Sequence, residues 1–266
     1  MDLQHPLAIQ IRHKIVQASH DFGLIEAGDR IMVCVSGGKD SSVLLASLIE
    51  IQKKSPFDFH FEAAILDQKQ PGFEVEKFKN WVESLGIKLH IIEKDTYSIV
   101  KEKVTDGTYC SLCSRLRRAI LYDFAYNNKF NKLALGHHRE DLLETTMLNF
   151  FYTGHIASMP PKLLSDNGKN VLIRPLCYVG ENDIIELASI WNFPILPCNL
   201  CGSQEGMKRK KMKHLLTDLE KTIPDIRASM IKALSQIQPS QMLDQKLWNF
   251  KDLKQKSAEL AADNNM

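Results

Sequence analysis

The sequence predicts an α/β protein built on a parallel sheet that helices cover on both faces. Three observations predict it. Short apolar, β-branched runs alternate with segments of helical periodicity. The first run is apolar almost throughout, as in a strand buried on both faces. A Gly-Gly pair stands between that run and the helix after it, where open α/β sheets place their ligands.

Each element follows from its pattern. From Leu7 to about Leu24, Ala8, Ile11, Ile15 and Ala18 recur at helical spacing, giving an amphipathic leader helix. Arg30-Ile31-Met32-Val33-Cys34-Val35 is a buried strand bounded by Gly37 and Gly38. A helix from Ser41 to about Lys53 offers Val43, Leu44, Ala46, Leu48 and Ile51 as its apolar face. Phe59–Leu66 reads as a strand, Glu74–Leu85 as a helix and Lys88–Ile92 as a strand. The next helix spans Ser114 to about Asn127, followed by a strand at Lys132–Leu135 and a helix at Glu140–Phe150. Val171–Ile173 is a short strand and Asn182–Trp191 a helix. From Glu205 to about Ile237 the pattern is helical only, broken at Pro224 and Pro239. Beyond Phe250 the chain turns polar, as a frayed tail does.

Composition bounds the function. The 266 residues, 44% of them hydrophobic, suffice for a substantial core. With 25% charged residues, 13 Gly and 10 Pro, collagen-like and low-complexity classes are excluded. Lys plus Arg number 34 against 32 acidic residues, a net charge of +2, so nucleic-acid affinity has to come from local patches. The first residues lack a basic start followed by an apolar run, so no signal peptide is expected. The longest uncharged stretch, Leu187–Gln204, contains Asn192, Pro194, Pro197 and Asn199 and would span a membrane poorly. A cytoplasmic protein with no membrane partner is expected.

The sharpest local signal is Ser36-Gly37-Gly38-Lys39-Asp40-Ser41-Ser42, between the first strand and its helix. Two glycines let the backbone turn tightly and approach a ligand. The free amides of a helix N-terminus then face an anion, assisted by Lys39 and the hydroxyls of Ser36, Ser41 and Ser42. It is not the ordinary Gly-x-x-x-x-Gly-Lys-[Ser/Thr] loop, because Asp40 follows Lys39. Leu66 and Asp67 close a neighbouring strand at the same sheet edge and would border a nucleoside, unless Asp67 only starts a loop.

Four of six cysteines form two Cys-x-x-Cys pairs, Cys110/Cys113 and Cys198/Cys201. Four thiolates suit tetrahedral zinc, and three suit an iron–sulfur cluster with one open iron; spacing does not separate the two. Cys34 and Cys177 read as ordinary buried cysteines. Gly136-His137-His138-Arg139-Glu140-Asp141 follows a strand and opens a helix. A carboxylate there can hold Mg²⁺ or move a proton, and also suits a helix N-terminus as a cap. Lys208-Arg209-Lys210-Lys211-Met212-Lys213 and the Arg115, Arg117, Arg118 cluster are basic patches suited to RNA phosphates, although a solvated helix face explains such runs too.

The Ser36–Ser41 loop resembles the PP-loop of the N-type ATP pyrophosphatases, a HUP-like fold. That resemblance implies ATP and Mg²⁺, a grip on the pyrophosphate leaving group, and attack at the α-phosphate. Together with Cys-Ser-Leu-Cys-Ser-Arg-Leu-Arg-Arg, Gly-His-His-Arg-Glu-Asp and Pro-Cys-Asn-Leu-Cys-Gly-Ser-Gln, the chain resembles the tRNA cytidine(32) 2-sulfurtransferases from about Ile9 to Met242. The resemblance implies a [4Fe-4S] cluster on Cys110, Cys113 and Cys201, with Cys198 the rival third ligand. It points to nucleotide binding by Ser36, Gly37, Gly38, Lys39, Asp40 and Ser41, with Asp67 added from its strand-end position, and to catalysis by Asp141 and Lys39. One departure is Glu140, where the family pattern has Asp; the charge is kept. Implied partners are the tRNA anticodon loop, a cysteine desulfurase as sulfur donor, and a second copy of the chain in a homodimer. The expected organisation is a leader helix over 1–27, a PP-loop domain over 28–201, a helical extension over 202–250 and a disordered tail over 251–266. Two alternatives stand beside it: a PP-loop enzyme with zinc and another acceptor (tRNA uridine or an amide), and a non-catalytic zinc-stapled RNA-binding domain.

Overall fold

A computed structural model describes residues 1–70, 72–103, 109–196 and 204–253. Backbone contacts divide the chain into two units, Met1–Pro224 and Asp225–Met266. The first begins with helix α1 (Pro6–Phe22), Pro6 at its first turn and Gly23 ending it in the left-handed conformation. Then follow β1 (Arg30–Val35), α2 (Lys39–Lys54), β2 (His60–Asp67), α3 (Val75–Ser84) and β3 (Leu89–Glu93). Next come α4 (Thr96–Lys103), α5 (Tyr109–Asn127), β4 (Lys132–Leu135) and α6 (Arg139–Leu148), which runs on into a π-helical turn, Asn149–Thr153. The short strands β5 (Lys162–Leu164) and β6 (Val171–Ile173), then α7 (Glu181–Trp191) and α8 (Gln204–Thr222), complete the unit. The second unit contains α9 (Ile226–Ser235) and two 3₁₀ turns.

The described strands form one sheet in the order β3-β2-β1-β4-β6-β5, parallel throughout except for β5. The pleat sends alternate side chains to opposite faces. Met32, Ala64, Leu66, Ile92 and Leu133 meet Leu121 and Ala125 of α5 and Phe130 in one buried cluster. Ile31, Val33 and Val35 fall on the other face, where α2 packs on β1 and joins α1 and α7 in a second layer. The expected covered parallel sheet is therefore observed. Because β1 leads outward to β2 and β3 before the chain crosses back to β4, the order reverses between β1 and β4. Open α/β sheets bind ligands at such a reversal, beyond the carboxyl ends of the strands.

Three features differ from the sequence reading. Helix α5 begins at Tyr109, so Cys110 and Cys113 lie within its first turns rather than ahead of it. Helix α4 has few apolar positions to betray its period: of Thr96-Tyr97-Ser98-Ile99-Val100-Lys101-Glu102, Thr96 and Val100 are buried. Strand β5 pairs antiparallel to β6, and three residues are too few to show alternation. Its Lys162 ammonium turns back to the carbonyl of Gly23 and to Glu26, 3.1 Å away.

The amino ends of the strands are pinned by a buried ion pair. Lys132 at the start of β4 reaches Asp29, ahead of β1, at 2.7 Å and Glu26 at 2.6 Å. No described helix is long and apolar enough to cross a membrane.

Candidate functional site

The loop after β1 is shaped by its own hydroxyls. Ser41 Oγ accepts from the Ser36 amide at 3.2 Å and donates to the Gly38 carbonyl at 3.2 Å. Ser42 Oγ donates to the same carbonyl at 3.0 Å, and Ser36 Oγ accepts from the Gly38 amide. Gly38 caps α2 with no side chain on the first amides, leaving them to an anion. Gly37 sits at φ +74°, and a Cβ there would come within 2.6 Å of Leu196. The Leu196 amide donates to the Gly37 carbonyl at 2.9 Å.

The loop after β4 lies directly against it. A Cβ on Gly136 would stand 2.9 Å from the Ser41 amide nitrogen and 3.1 Å from its Cα. This contact brings the two sequence motifs, a hundred residues apart in the chain, into one site across the β1/β4 switch point. Asp141 Oδ2 accepts from the His138 amide at 3.1 Å, capping α6, and lies 3.5 Å from His138 Nε2. His138 also faces Asp40 at 3.8 Å and Glu140 at 3.4 Å. Burial opposes its charge, but Glu140, Asp141 and Asp40 outweigh burial and raise its pKa. Beside it, burial pushes His137 down to about 4 against the pull of Asp141. One histidine of the pair is thus kept neutral and the other favoured as a cation.

Lys39 lies 3.0 Å from Asp40 and 3.6 Å from Glu181. Burial works against its ammonium, yet these carboxylates carry its pKa above the usual lysine value. Glu140 accepts from Arg139 at 2.7 Å and from the Glu181 amide at 2.7 Å, joining the N-termini of α6 and α7. Despite burial, His138, Arg139 and that amide hold its carboxyl at about 2. Here Glu140 is a structural brace, which explains how the longer side chain is used.

The basic run on α8 divides its labour. Arg209 donates to Asp141 at 3.0 Å and to Thr145 at 3.2 Å, and lies 3.8 Å from Glu144. Lys213 reaches Glu181 at 2.6 Å, while Met212 is buried; Lys208, Lys210 and Lys211 face solvent. Sequence reasoning missed Glu181, Glu144 and the inward role of Arg209. An acidic residue opening a helix and one cation in a cationic run carry no local mark of a distant partner.

At the same edge of the sheet, Asp67 ends β2 with its carboxylate committed locally: it accepts from the Lys69 amide at 2.7 Å and pairs with Lys69 Nζ at 3.1 Å. The next residue, Gln68, is buried and was not singled out from the sequence. Its Oε1 accepts from Thr96 Oγ1 at 3.0 Å and from Cys113 Sγ at 3.2 Å. Cys113 thus stands beside the carboxyl end of β2, one strand away from the phosphate loop. Cys110 lies in α5, and Cys198 and Cys201 fall outside the described residues. Burial raises the thiols of Cys34 and Cys177 to about 12, which makes both inert. Near Cys34, the positive Arg117 pulls the other way without prevailing.

A family model described as a PP-loop domain matches residues 7–193. The chain is 65% identical over 254 residues to a tRNA-cytidine(32) 2-sulfurtransferase of Bdellovibrio bacteriovorus, covering 96% of this chain and 98% of that one. Proteins of the same description from Legionella pneumophila and Coxiella burnetii are 53% and 51% identical, over 92% and 91% of this chain and 87% and 94% of theirs. Among solved structures, a U34-tRNA thiolase from Methanococcus maripaludis with its [4Fe-4S] cluster shares the fold. It has a TM-score of 0.70 and 21% identity, over 88% of this chain and 80% of that one.

Proposed function

The chain belongs to the PP-loop family of tRNA-cytidine(32) 2-sulfurtransferases, and from that premise we propose that it converts cytidine 32 of the tRNA anticodon loop to 2-thiocytidine at the expense of ATP. The observation that carries the reading is the close approach of Gly136 to the Ser41 backbone, with His138 lying 3.8 Å from Asp40 on one side and 3.5 Å from Asp141 on the other.

A C2 oxygen on a pyrimidine is a poor leaving group, so it is first adenylated. The oxygen attacks the α-phosphorus of ATP, the bond to the β-phosphate oxygen breaks, and pyrophosphate leaves. The amides after Gly38 and the hydroxyls of Ser36 and Ser41 bind the leaving group, and Lys39 neutralises the charge that builds on it. Asp40 and Asp141 are the carboxylates that would hold Mg²⁺, which shares that neutralisation. Hydrosulfide then adds to C2, the C2–O bond breaks, and AMP departs with the oxygen. Arg209 donates to Asp141 and would keep its carboxylate oriented for the metal.

Two observations support an iron–sulfur cluster. Cys113 lies at the ligand edge of the sheet with Cys110 three residues earlier on the same helix. Leu196, bonded to the phosphate loop, directly precedes Pro197 and the second cysteine pair in sequence. Cys110, Cys113 and Cys201 would hold a [4Fe-4S] cluster, which would supply a site for inorganic sulfur. A cysteine desulfurase provides that sulfur, and the working enzyme is a homodimer.

The test incubates the protein with ATP, Mg²⁺, sulfide and an unmodified tRNA carrying cytidine 32, then digests the RNA for nucleoside mass spectrometry. The expected product is 2-thiocytidine, with one AMP formed per thiolation. Thiouridine, or AMP without 2-thiocytidine, would overturn the assignment. Iron and acid-labile sulfide of about four each per chain support the cluster, and one zinc without sulfide would remove it.

A further inference from the structure

The π-helical turn that prolongs α6, Asn149-Phe150-Phe151-Tyr152-Thr153, buries none of its residues. Phe150 and Phe151 are each 57% exposed and Tyr152 48%. Three adjacent aromatic rings turned to water are costly to keep without a use, and π-helical turns concentrate at functional sites. The turn is held firmly. Asn149 accepts at its carbonyl from the amides of Gly154 and His155 and from Thr153 Oγ1 at 2.8 Å, and its Nδ2 donates to the Ala157 carbonyl at 2.9 Å. The rings of Phe150 and Phe151 stand edge to face, 5.4 Å between centroids.

The ledge is also electropositive. Lys208 Nζ lies 4.9 Å from the centroid of the Tyr152 ring, and exposed Lys211 follows it one turn along α8. Arg209, between them in sequence, reaches inward to Asp141. At about 1.5 Å per helical residue, Phe150 lies roughly 14 Å from Asp141 along α6. An extended single strand of a few nucleotides bridges such a distance.

We infer that Phe150, Phe151 and Tyr152 form a stacking ledge for unpaired anticodon-loop bases next to the reacting cytidine, with Lys208 and Lys211 on the adjoining phosphates. Exposed rings with a lysine beside them match single-stranded RNA, where bases stack on aromatics and phosphates meet lysines. An RNA loop is stacked on itself in solution, and the ledge offers replacement surfaces for the bases that must splay apart to free the target. The inference rests on the tRNA-thiolation reading above.

The test compares the full chain with Phe150→Ala/Phe151→Ala, Phe150→Tyr/Phe151→Tyr and Lys211→Ala. Readouts are affinity for the anticodon stem-loop RNA across a salt series, affinity for ATP, and oligomeric state by sedimentation velocity. Loss of both rings lowers RNA affinity by roughly ten- to a hundredfold, and the tyrosine pair restores it. Lys211→Ala reduces the salt slope by roughly 0.7. ATP affinity and oligomeric state stay as in the parent. Unchanged RNA affinity of the alanine pair overturns the ledge. So does a change of oligomeric state that accounts for the loss, which would make the rings a contact between copies of the chain. If the parent protein itself yields no 2-thiocytidine, the failure belongs to the functional reading and not to the ledge.

Discussion

Leu196 holds Gly37 in a two-part grip: its amide donates to the Gly37 carbonyl at 2.9 Å, and its side chain fills the space where a Cβ would otherwise stand. The segment that leads into the second cysteine pair is therefore fastened to the phosphate loop. That one backbone hydrogen bond ties the residue just ahead of Pro197 to the turn between β1 and α2.

Gly136→Ala tests the contact between the two loops. The added methyl would stand within 3.2 Å of backbone atoms of both Asp40 and Ser41, which have no rotamer to yield. Overpacking of this kind costs about 1–3 kcal/mol. ATP affinity, read by calorimetry, is expected to fall at least about tenfold with a modest drop in unfolding temperature. An unaltered ATP affinity would separate the two loops functionally.

Lys39→Ala separates nucleotide chemistry from RNA binding. Lys39 pairs with Asp40 and Glu181 at the N-termini of α2 and α7, so pyrophosphate release should drop by about a hundredfold or more while tRNA affinity holds within about twofold. A parallel loss of tRNA binding would place Lys39 in a different role.

Cys113→Ser keeps the size of the side chain and a donor for Gln68. The anaerobically purified variant should lose most of its iron and sulfide and all thiolation, yet bind ATP as before. Cys34→Ser and Cys177→Ser, with their thiols raised to about 12 by burial, should retain the full metal content.

Glu62 gives an acid-side stability signature far from the site. Burial opposes its ionisation, but His90, His60 at 3.0 Å and Lys88 at 3.2 Å hold it at about 2. A folded pKa below the unfolded value means the folded chain binds fewer protons there. The stabilisation is complete above about pH 4.5 and is lost as pH falls toward 2. Glu62→Gln should lower the unfolding temperature at neutral pH, by about 1–3 kcal/mol in free energy, and flatten its fall across that window. An unchanged acid slope would take Glu62 out of the account.

Much of the fold was legible because period and composition are local. The run Arg30–Val35 and the helix after Gly38 were placed to within two residues. The phosphate loop was legible for the same reason: its glycines, hydroxyls and lysine are contiguous. What escaped was long-range or too short. The pairing of Arg209 with Asp141 spans 68 residues of chain, and Gln68 carries no motif until α5 brings Cys113 against it. Strand β5 has three residues, and only its partner β6 reveals it as a strand.

That small antiparallel strand has a consequence for how the protein behaves in a crowded solution. An open sheet edge invites strand addition from other chains and so seeds aggregation. Here the edge is three residues long and Lys162 begins it, its ammonium drawn to Gly23 and Glu26. A foreign strand arriving there would find few backbone groups to pair with and a cation at its entrance. Leu163 and Leu164, the rest of that strand, can then remain exposed at an edge too short to recruit other molecules.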